Sequence, residues 1–433
     1  MNRTPYRIHL RALGCRLNEA ELEQWAQRFV ADGHHIATDG QPADVVVLNT
    51  CAVTGEASRK SRQLIKRLHR EHPLARLVVT GCHAALAPDE VAGALGVDLV
   101  VRNDDKARLP ELVRQAFDLP VMPAAATEPG QTALYARGRH RAFVKVQDGC
   151  RHRCTYCIVT VARGEERSRP VADIVAEIRR LHAQGVQEAV LTGVHVGGYG
   201  SDLGSDLRAL ITAILEDTDL PRLRLASVEP WDLPEGFFRL FENPRLLPHM
   251  HLPLQSGSDR ILRRMARRCR TADFERLVAA ARAVVPHFNV TTDIIVGFPG
   301  ETEDDWQQTL AFVERIGFGH LHIFPFSPRA GTPAARFPER VDKATQRRRC
   351  RELAALGERL QRQALAAAVG HPAAVLWERP HEDADGRRWY RGYSPDYLRV
   401  ACPAPPDGSS LEHRITTVTP HAVDEANGLL LAS

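Results

Sequence analysis

The 433-residue sequence has no long hydrophobic run, no internal repeat and little net charge, which is +4. A helical membrane span needs about 20 consecutive apolar residues, so the sequence excludes one. Residues 1–10 also lack the apolar core of a signal peptide. We therefore expect a cytoplasmic protein without a membrane partner. The small total charge gives no indication of a nucleic-acid partner.

Apolar residues make up 44% of the sequence and charged residues 25%, which is ordinary for a globular protein. The length is sufficient for two or three domains that each bury their own core. Nine cysteines are present. In a reducing compartment, clustered cysteines argue for metal binding rather than for disulfides.

Strand and helix patterns divide the chain into four segments and indicate an α/β protein. Residues 1–120 alternate strands with helices, which predicts an open parallel α/β sheet. Residues 121–140 include a Pro- and Ala-rich stretch that is typical of a linker. Residues 141–370 contain six strand–helix units, which fit a partial (β/α)6 barrel rather than a complete eight-unit one. Residues 371–433 alternate without long helices, which predicts a small all-β module.

The individual strands are predicted from short apolar and β-branched runs. In chain order they are residues 7–13, 45–49, 77–80, 143–147, 188–192, 222–227, 249–254, 290–296 and 320–324, followed by segments 375–378, 397–400 and 415–418 in the all-β module.

Three cysteines, Cys150, Cys154 and Cys157, follow a predicted strand with the spacing C-x₃-C-x₂-C. Three thiolates on one short loop can hold three corners of a 4Fe–4S cube, and because most clusters use four cysteines, the fourth iron would take a non-protein ligand. S-adenosylmethionine can chelate such an iron and be split into a radical. Zinc is the alternative, because His152 lies between the first two cysteines and three Cys with one His form a structural zinc set.

A second set of three cysteines, Cys15, Cys51 and Cys82, follows the three predicted amino-terminal strands. Ligands of open parallel sheets collect at the carboxyl ends of the strands. A single cysteine there would be interpreted as a buried small side chain, but three at the same edge indicate a metal-ligand set. The remaining cysteines, at positions 269, 350 and 402, show no such arrangement and are interpreted as structural thiols.

The best local indication of RNA binding is a stretch in which arginines interleave with aromatic residues, a pattern that suits base stacking and phosphate contact. The candidate RNA-binding residues are Arg387, Arg388, Trp389, Arg391, Tyr393 and Arg399. Residues 371–433 contain more acids than bases, and the alternative interpretation is an amphipathic β-hairpin.

Further motifs run through nearly the whole chain in a defined order. They are Leu13-Gly-Cys-Arg-Leu-Asn, Asn49-Thr-Cys-Ala-Val-Thr, Thr80-Gly-Cys-His, the Cys150 to Cys157 loop, Leu191-Thr-Gly-Val, His251-Leu-Pro-Leu-Gln-Ser-Gly-Ser-Asp, Gly297-Phe-Pro-Gly-Glu-Thr and Phe324-Pro-Phe-Ser-Pro-Arg. Each motif is weak alone. Together they resemble the methylthiotransferase family of radical S-adenosylmethionine enzymes.

The resemblance implies two 4Fe–4S clusters and S-adenosylmethionine as cofactors. It assigns an auxiliary cluster to the amino-terminal domain, the radical cluster to the central barrel, and a TRAM-like, RNA-contacting barrel to the carboxyl terminus. All six ligand cysteines are present. The implied partners are a tRNA substrate, an electron donor such as flavodoxin or ferredoxin, and a sulfur source.

The motif at 49–54, followed by Ser58-Arg-Lys-Ser-Arg, resembles the branch that methylthiolates C2 of N6-threonylcarbamoyladenosine at position 37 of tRNA, next to the anticodon. The same chemistry on isopentenyladenosine in tRNA or on a ribosomal-protein aspartate is the first alternative. A non-catalytic zinc protein that binds RNA is the second. Thr160 departs from the family pattern, since many relatives carry proline there.

Cofactor contacts are expected near the cluster loop and at the carboxyl ends of barrel strands. Tyr156 is predicted to pack near the adenine of S-adenosylmethionine, and the resemblance assigns Thr192 and Gly193 to its methionine amino group. The remaining predicted contacts are Ser227, Glu229, Gln255, Ser256, Asp293 and Gly297.

Overall fold

The structure is a computed structural model that describes residues 5–119, 141–383 and 385–433. The predicted linker, residues 121–140, lies outside the described residues. The predicted α/β fold class is confirmed. An amino-terminal parallel sheet, a partial barrel of parallel strands and a carboxyl-terminal all-β sheet follow one another along the chain.

The amino-terminal part forms a parallel five-stranded sheet in the order β2-β1-β3-β4-β5. Its strands are β1 (Arg7–Ala12), β2 (His35–Ala37), β3 (Val45–Thr50), β4 (Arg76–Gly81) and β5 (Val97–Val100). Its helices are α1 (Arg16–Ala31), α2 (Gly55–Glu71), α3 (Cys82–Leu86), α4 (Pro88–Ala92) and α5 (Leu109–Phe117). The sequence does not predict β2 and β5, because such short edge strands show no clear alternation.

Helices cover both faces of this sheet, which explains the continuous apolar character of its central strand. Val47 of β3 packs with Trp25 of α1 on one face. Val46 and Leu48 pack with Ile65 of α2 on the other. Val46, Val47 and Leu48 are all buried. The sequence of β3 is therefore an uninterrupted hydrophobic run.

The central part contains six parallel strands in two sheets, ordered β10-β9-β6 and β11-β12-β13. They are β6 (Arg141–Lys145), β9 (Glu188–Thr192), β10 (Arg222–Leu225), β11 (His249–His251), β12 (Asn289–Val296) and β13 (His320–Pro325). Isolated parallel bridges from Leu223 to Leu246 and from Ser227 to His251 connect the two sheets. The arrangement is that of the predicted partial barrel.

Two very short strands, β7 (Gln147–Asp148) and β8 (Arg167–Ser168), form a separate antiparallel pair. The helices of the central part are α6 (Val159–Arg163), α7 (Val171–Ala183), α8 (Leu207–Asp217), α9 (Asp259–Arg264), α10 (Thr271–Val284), α11 (Glu303–Ile316) and α12 (Lys343–Ala368). Between β10 and β11 the connection contains the 3₁₀ helix Phe237–Glu242.

Helix α12 joins the barrel to the carboxyl-terminal module. Its Leu353 and Leu360 are buried in the barrel core, and Leu365, one turn and a half later, is buried in the core of the module. One continuous helix therefore belongs to both hydrophobic cores and sets how the module is placed against the barrel.

The carboxyl-terminal module is all-β, as predicted. Its strands are β14 (Ala373–Trp377), β15 (His381–Glu382), β16 (Arg388–Tyr393), β17 (Arg399–Pro403), β18 (Ile415–Val418), β19 (Ala422–Asp424) and β20 (Leu429–Leu431). They pair in the order β18-β14-β16-β17-β20-β19, with β15 on β16. The predicted strand at 397–400 begins later, because Tyr397 has a left-handed backbone (φ 69°) in the turn before β17.

Within the described ranges, no helix combines the length and the apolar character that a membrane crossing requires.

A buried charge network joins the amino-terminal domain to the barrel. Glu21 of α1 accepts hydrogen bonds from Lys106 (2.7 Å) and, across the interface, from Arg163 (3.0 Å) and Lys145 (3.0 Å). Asp148 accepts from Arg163 (2.9 Å) and Lys145 (2.6 Å). The side chains of Glu21, Lys106 and Arg163 are 2–3% exposed. Although burial opposes ionisation, the three cations hold the pKa of Glu21 well below its ordinary value.

Replacement of Glu21 by Gln should loosen this interface. The change leaves buried cations with too little negative charge, which costs about 3–5 kcal/mol when one partner of a buried ion pair is removed. Hydrogen-exchange mass spectrometry should show faster exchange in α1 and α6 by at least about a hundredfold, because each factor of ten corresponds to about 1.4 kcal/mol. Exchange within α12 should remain as in the unsubstituted protein.

Glu275→Gln is the matched control, because its ion pair with Arg315 is about half exposed on both sides and such pairs contribute about 1 kcal/mol or less. If Glu21→Gln and Glu275→Gln increased hydrogen exchange in α1 and α6 equally, the buried charge network would not be what holds this interface together. Since folding lowers the pKa of Glu21, its stabilisation is complete above the unfolded carboxyl pKa of about 4.3 and decreases as the pH falls below it.

Candidate active site

The three amino-terminal cysteines lie at one edge of the sheet. Ala12 pairs with Asn49, and Thr50 pairs with Gly81, so β1, β3 and β4 end at nearly the same level. Cys51 and Cys82 follow β3 and β4 directly. Cys15 follows β1 by three residues and precedes the first residue of α1. The register of the parallel strands therefore brings the three thiols together.

Glycines next to two of these cysteines permit the close approach. Gly14 has a φ of 99°, and a Cβ atom there would lie 2.5 Å from Sγ of Cys51. Gly81 has a φ of 101°, and its Cβ atom would overlap the carbonyl oxygen of Thr50. A larger residue at either position would push the cysteines apart.

The electrostatics of the amino-terminal thiols indicate mutual proximity. Burial, together with the nearby Cys15 and Cys82, raises the pKa of Cys51 to about 11. The pKa of Cys15 is also raised, because the protein around this cavity-lining thiol disfavours the charged thiolate, while Arg163 acts in the opposite direction. Thiols that ionise this poorly become thiolates when a cationic centre binds. Together with the space that Gly14 leaves beside Cys51, this donor set fits a cluster with three cysteine ligands.

The second set of cysteines occupies a loop whose two ends are held together by β7 and β8. Within the loop, the backbone N–H groups of His152 and Val159 donate to Sγ of Cys150 and Cys157, each at 3.4 Å. Burial raises the pKa of Cys150 to about 12 and that of Cys157 to about 11. The N–H donors lie where they would stabilise thiolates bound to a cluster.

Helix α6 connects the two cysteine sets in space. It begins two residues after Cys157, and Ala162 packs against Ala52 and Cys82 of the amino-terminal domain. Asn103 donates to the carbonyl of Ala162 at 2.5 Å. The two candidate clusters therefore lie on the two sides of one short helix.

The geometry favours clusters over a single zinc ion. Tetrahedral zinc with Zn–S bonds of about 2.3 Å places its sulfur ligands about 3.8 Å apart. Among the described residues, the groups whose three ligand atoms lie within 4.8 Å of one another include Cys150 with Glu166 and His195, and His152 with His195 and Asp232, but neither complete set of three cysteines. His152, the predicted fourth zinc ligand, instead contacts Asp232 through Nε2 (3.3 Å) and accepts from Trp231 Nε1 (3.2 Å).

A cavity of about 870 Å³ lies inside the barrel and reaches the amino-terminal domain and the carboxyl-terminal module. Five of the predicted cluster and cofactor residues line it: Cys15, Thr192, Gly193, Ser227 and Asp293. The structure thus brings a candidate ligand of the auxiliary cluster and residues of three barrel strands or their ends to one space.

Two other predicted contacts, Tyr156 and Glu229, lie near the cluster loop instead. Tyr156 packs with the apolar group around Met265, and the Cys154 thiol is its electrostatic neighbour. Glu229 acts electrostatically on Cys150. Burial raises the pKa of Glu229, and its Oε2 has no hydrogen-bond partner among the described residues.

The remaining predicted contacts belong to the barrel wall. Ser256 Oγ approaches Thr309 Oγ1 of α11 at 3.4 Å and does not line the cavity. Gly297 (φ 73°) faces Gln346 of α12, where a Cβ atom would lie 3.0 Å from Nε2. The backbone conformation and the close contact with Gln346 are sufficient to explain a glycine at position 297, and no bound ligand is needed. Gln255 has a left-handed backbone (φ 79°) and is hydrogen-bonded through its N–H to Asp293.

A buried network beside the cluster loop was missed by the sequence analysis. His195 Nε2 lies 2.6 Å from Asp232 Oδ2, its Nδ1 contacts Glu166, and its ring meets that of His152 edge-on at 4.5 Å. Burial would lower the pKa of His195, but these carboxylates and Glu229 raise it. The residues come from separate loops, so no local spacing signals the network.

The predicted RNA-binding residues have different surroundings, and Arg399 is both exposed and part of the cavity lining. Four arginines, Arg387, Arg388, Arg391 and Arg399, are exposed. Trp389 is partly buried and donates to Asp383 at 3.0 Å. Tyr393 and Arg399 line the internal cavity, and the Tyr393 ring stacks on Tyr397 with a centroid distance of 4.7 Å.

Comparisons with known proteins agree with this architecture. Residues 7–102 match the family described as Uncharacterized protein family UPF0004, and residues 144–313 match the Radical SAM superfamily. Among solved structures, the radical S-adenosylmethionine methyltransferase TsrM of Kitasatospora setae is similar, with a TM-score of 0.56 and 16% identity over 76% of this chain and 75% of that one. That likeness concerns the fold alone.

Sequence relatives are more specific. The threonylcarbamoyladenosine tRNA methylthiotransferase MtaB of Thermotoga maritima is 39% identical over 79% of this chain and 80% of its own. The tRNA-2-methylthio-N(6)-dimethylallyladenosine synthase of Sphingopyxis alaskensis is 35% identical over 97% of both chains. With two matching domains and this degree of identity, the chain belongs to the methylthiotransferase family of radical S-adenosylmethionine enzymes.

Proposed function

We propose that this enzyme methylthiolates C2 of N6-threonylcarbamoyladenosine at position 37 of tRNA. The observation that carries the proposal is the pair of three-cysteine sets on the two sides of α6, with Cys15 at the wall of the barrel cavity. One set suits radical formation and the other suits sulfur delivery. Both are needed when sulfur replaces hydrogen on an aromatic ring.

The chemistry requires a radical, because no protein acid or base removes a hydrogen usefully from C2 of adenine. A 4Fe–4S cluster with an open iron supplies the single-electron reduction of S-adenosylmethionine when bound. Cys150, Cys154 and Cys157 would hold this cluster, and Cys15, Cys51 and Cys82 would hold the auxiliary one. The chain itself contributes the buried thiols of Cys51 and Cys82, backbone N–H donors to Cys150 and Cys157, and a cavity that Cys15 helps to line.

The lining of the cavity supports an anionic substrate. Its charged side chains are four arginines and one carboxylate, namely Arg16, Arg141, Arg224, Arg399 and Asp293. Glu188 and Glu378, which pair with Arg224 and Arg141, do not belong to the lining. A positive wall favours the carboxylate of a threonylcarbamoyl group and the phosphates of RNA over a neutral isopentenyl group.

Among the relatives, support for the same branch comes from the Thermotoga maritima enzyme, which is 39% identical, since the Bacillus subtilis enzyme of the same name is 33% identical and the Sphingopyxis alaskensis synthase is 35% identical. We assign the contact with the tRNA to the exposed arginines of the carboxyl-terminal module, at 387, 388 and 391, together with the partly buried Trp389. These side chains leave the internal cavity free for the modified base.

Single alanine substitutions should separate the two cysteine sets. Cys150→Ala should leave about four of eight irons and abolish reductive cleavage of S-adenosylmethionine. Cys15→Ala should also leave about four irons but should still form 5′-deoxyadenosine without a methylthio product. Iron and sulfide analysis of anaerobic protein and chromatography of the nucleosides measure both outcomes.

Cys269→Ala is the control, because this buried thiol donates to the backbone carbonyl of Arg270 and belongs to neither set. It should retain about eight irons and full product formation. Identical behaviour of the Cys15 and Cys150 variants would disprove the division of labour. A colourless protein that contains zinc would disprove the cluster assignment altogether.

Deletion of the gene should remove the methylthio form of N6-threonylcarbamoyladenosine from cellular tRNA, because the proposed reaction is the step that forms it. Mass spectrometry of digested tRNA measures it, and re-expression of the gene should restore the nucleoside. Loss of the methylthio form of isopentenyladenosine instead would move the enzyme to that branch. Unchanged tRNA nucleosides would leave the ribosomal-protein aspartate as substrate.

A further inference from the structure

One wall of the cavity is formed by histidines. Strands β11, β12 and β13 are parallel neighbours, with His251 opposite Thr291 and Asp293 opposite His322. Alternate residues of each strand face the cavity, and the wall consists of His249, His251, Thr291, Asp293, His320 and His322. The two His-x-His pairs, at 249–251 and 320–322, place two imidazoles on the same side of a strand.

The inner part of this wall is held by a chain of hydrogen bonds. His249 Nε2 lies 3.3 Å from Thr291 Oγ1, and His251 Nδ1 lies 3.0 Å from the same oxygen. His251 Nε2 then contacts Asp293 Oδ1 at 3.2 Å. Both ring nitrogens of His251 are therefore engaged within the wall. His251 therefore holds Thr291 and Asp293 in position and has no free ring nitrogen for a further hydrogen bond.

The outer part of the wall is open to a ligand. His320 and His322 are exposed to the cavity, their rings meet at 4.8 Å, and neither ring has a hydrogen-bond partner among the described residues. Partial desolvation in the cavity and the nearby His251 lower the pKa of both, while Asp293 acts in the opposite direction on His322. The lowered pKa favours the neutral imidazole, which offers one N–H donor and one nitrogen acceptor.

We propose that His320 and His322 bind the polar substituent on N6 of the substrate adenine and thereby select a threonylcarbamoyl group over an isopentenyl group. This inference rests on the function proposed above. In adenine, the carbon that bears N6 is separated from C2 by a single ring nitrogen. A base whose C2 is directed toward the Cys15 side therefore keeps its N6 substituent inside the same cavity.

The chemistry of the two histidines matches the carbamoyl and threonyl groups. An N–H donor can serve a carbonyl or carboxylate oxygen, and an acceptor nitrogen can serve an amide N–H or a hydroxyl. An isopentenyl group offers none of these partners and would leave both imidazoles desolvated without hydrogen bonds, which is unfavourable. His251, Asp293 and His322 also offer ligand atoms that lie within 4.8 Å of one another, so a metal ion is the competing occupant of this wall. Metal analysis of the holoenzyme should find iron alone, and a second metal that is lost in His322→Leu would overturn the proposal.

The test uses holoenzyme with both clusters and S-adenosylmethionine, and three synthetic anticodon stem-loops that differ only at the base. One carries N6-threonylcarbamoyladenosine, one carries isopentenyladenosine and one carries adenosine. Dissociation constants and product formation are measured for the unsubstituted enzyme and for His320→Leu, His322→Leu and His322→Asn. His371→Leu, an exposed histidine between α12 and β14, is the control.

The unsubstituted enzyme and the control should bind the threonylcarbamoyl stem-loop more tightly than the adenosine one. Each leucine variant should reduce this preference by about tenfold, as expected for a lost hydrogen bond to a polar or charged group, while its affinity for the adenosine stem-loop stays the same. His322→Asn, which keeps a donor and an acceptor, should recover part of the preference.

Equal weakening for all three stem-loops, or no change of preference in the leucine variants, would overturn the role of the histidines while the proposed function stands. Failure of the unsubstituted enzyme to convert the threonylcarbamoyl stem-loop would overturn the proposed function itself, and the inference with it. The two failures are distinguished by the product formed by the unsubstituted enzyme.

Discussion

The buried ion pair between Glu21 and Arg163 sets the geometry on which the rest of the structure depends. Glu21 lies on α1, which begins directly after Cys15, and Arg163 ends α6, which begins two residues after Cys157. One buried ion pair therefore links the two helices that start at the two cysteine sets. Burial of charges is costly unless every charge is paired, and here Lys106, Lys145 and Asp148 complete the pairing. The network thus holds α1 against α6, and with them the two cysteine sets that precede these helices.

The partial barrel supplies the second constraint. Six strands leave an open side between β6 and β13, and the amino-terminal domain covers it. Arg16 lies over the ring of Phe143 in β6 (5.0 Å), while Ser58 and Gly55 contact Arg329 and Ser327, which follow β13. The amino-terminal domain that covers this open side also carries Cys15. The contacts that close the barrel therefore also place Cys15 at the cavity. A complete eight-stranded barrel would have no side opening for a second cluster.

The sequence predicts those features that are encoded locally. Apolar runs predict β3 and the barrel strands, and the spacing of Cys150, Cys154 and Cys157 indicates a metal site. The convergence of Cys15, Cys51 and Cys82 could also be expected, because ligands collect at strand ends. Contacts between distant segments could not be predicted from the sequence. For example, nothing in the sequence near His195 indicates that this residue contacts Glu166 and Asp232. Tyr393 shows the same limit, because its arginine-rich context suggests an RNA surface, whereas the fold turns its ring inward onto Tyr397. The sequence shows the repeated His-x-His pattern of β11 and β13. It does not show that both strands pair with β12, which is what brings the four histidines to one wall.

The carboxyl-terminal module contributes to the cavity as well as to the outer surface. Its Tyr393 and Tyr397 stack on each other between Arg141 and Arg224, whose guanidinium groups lie 4.5 Å and 4.6 Å from the two ring centres. Glu188 pairs with Arg224 and with Arg222, and Arg222 in turn donates to backbone carbonyls of the module. The three cations around Glu188 hold its pKa at about 2 despite burial, so this support stays charged at any physiological pH. Paired charges and stacked rings hold this floor of the cavity in one arrangement without a ligand. If the proposed selection by His320 and His322 is correct, the ordering cost of the floor is met during folding rather than during binding, which favours discrimination between N6 substituents.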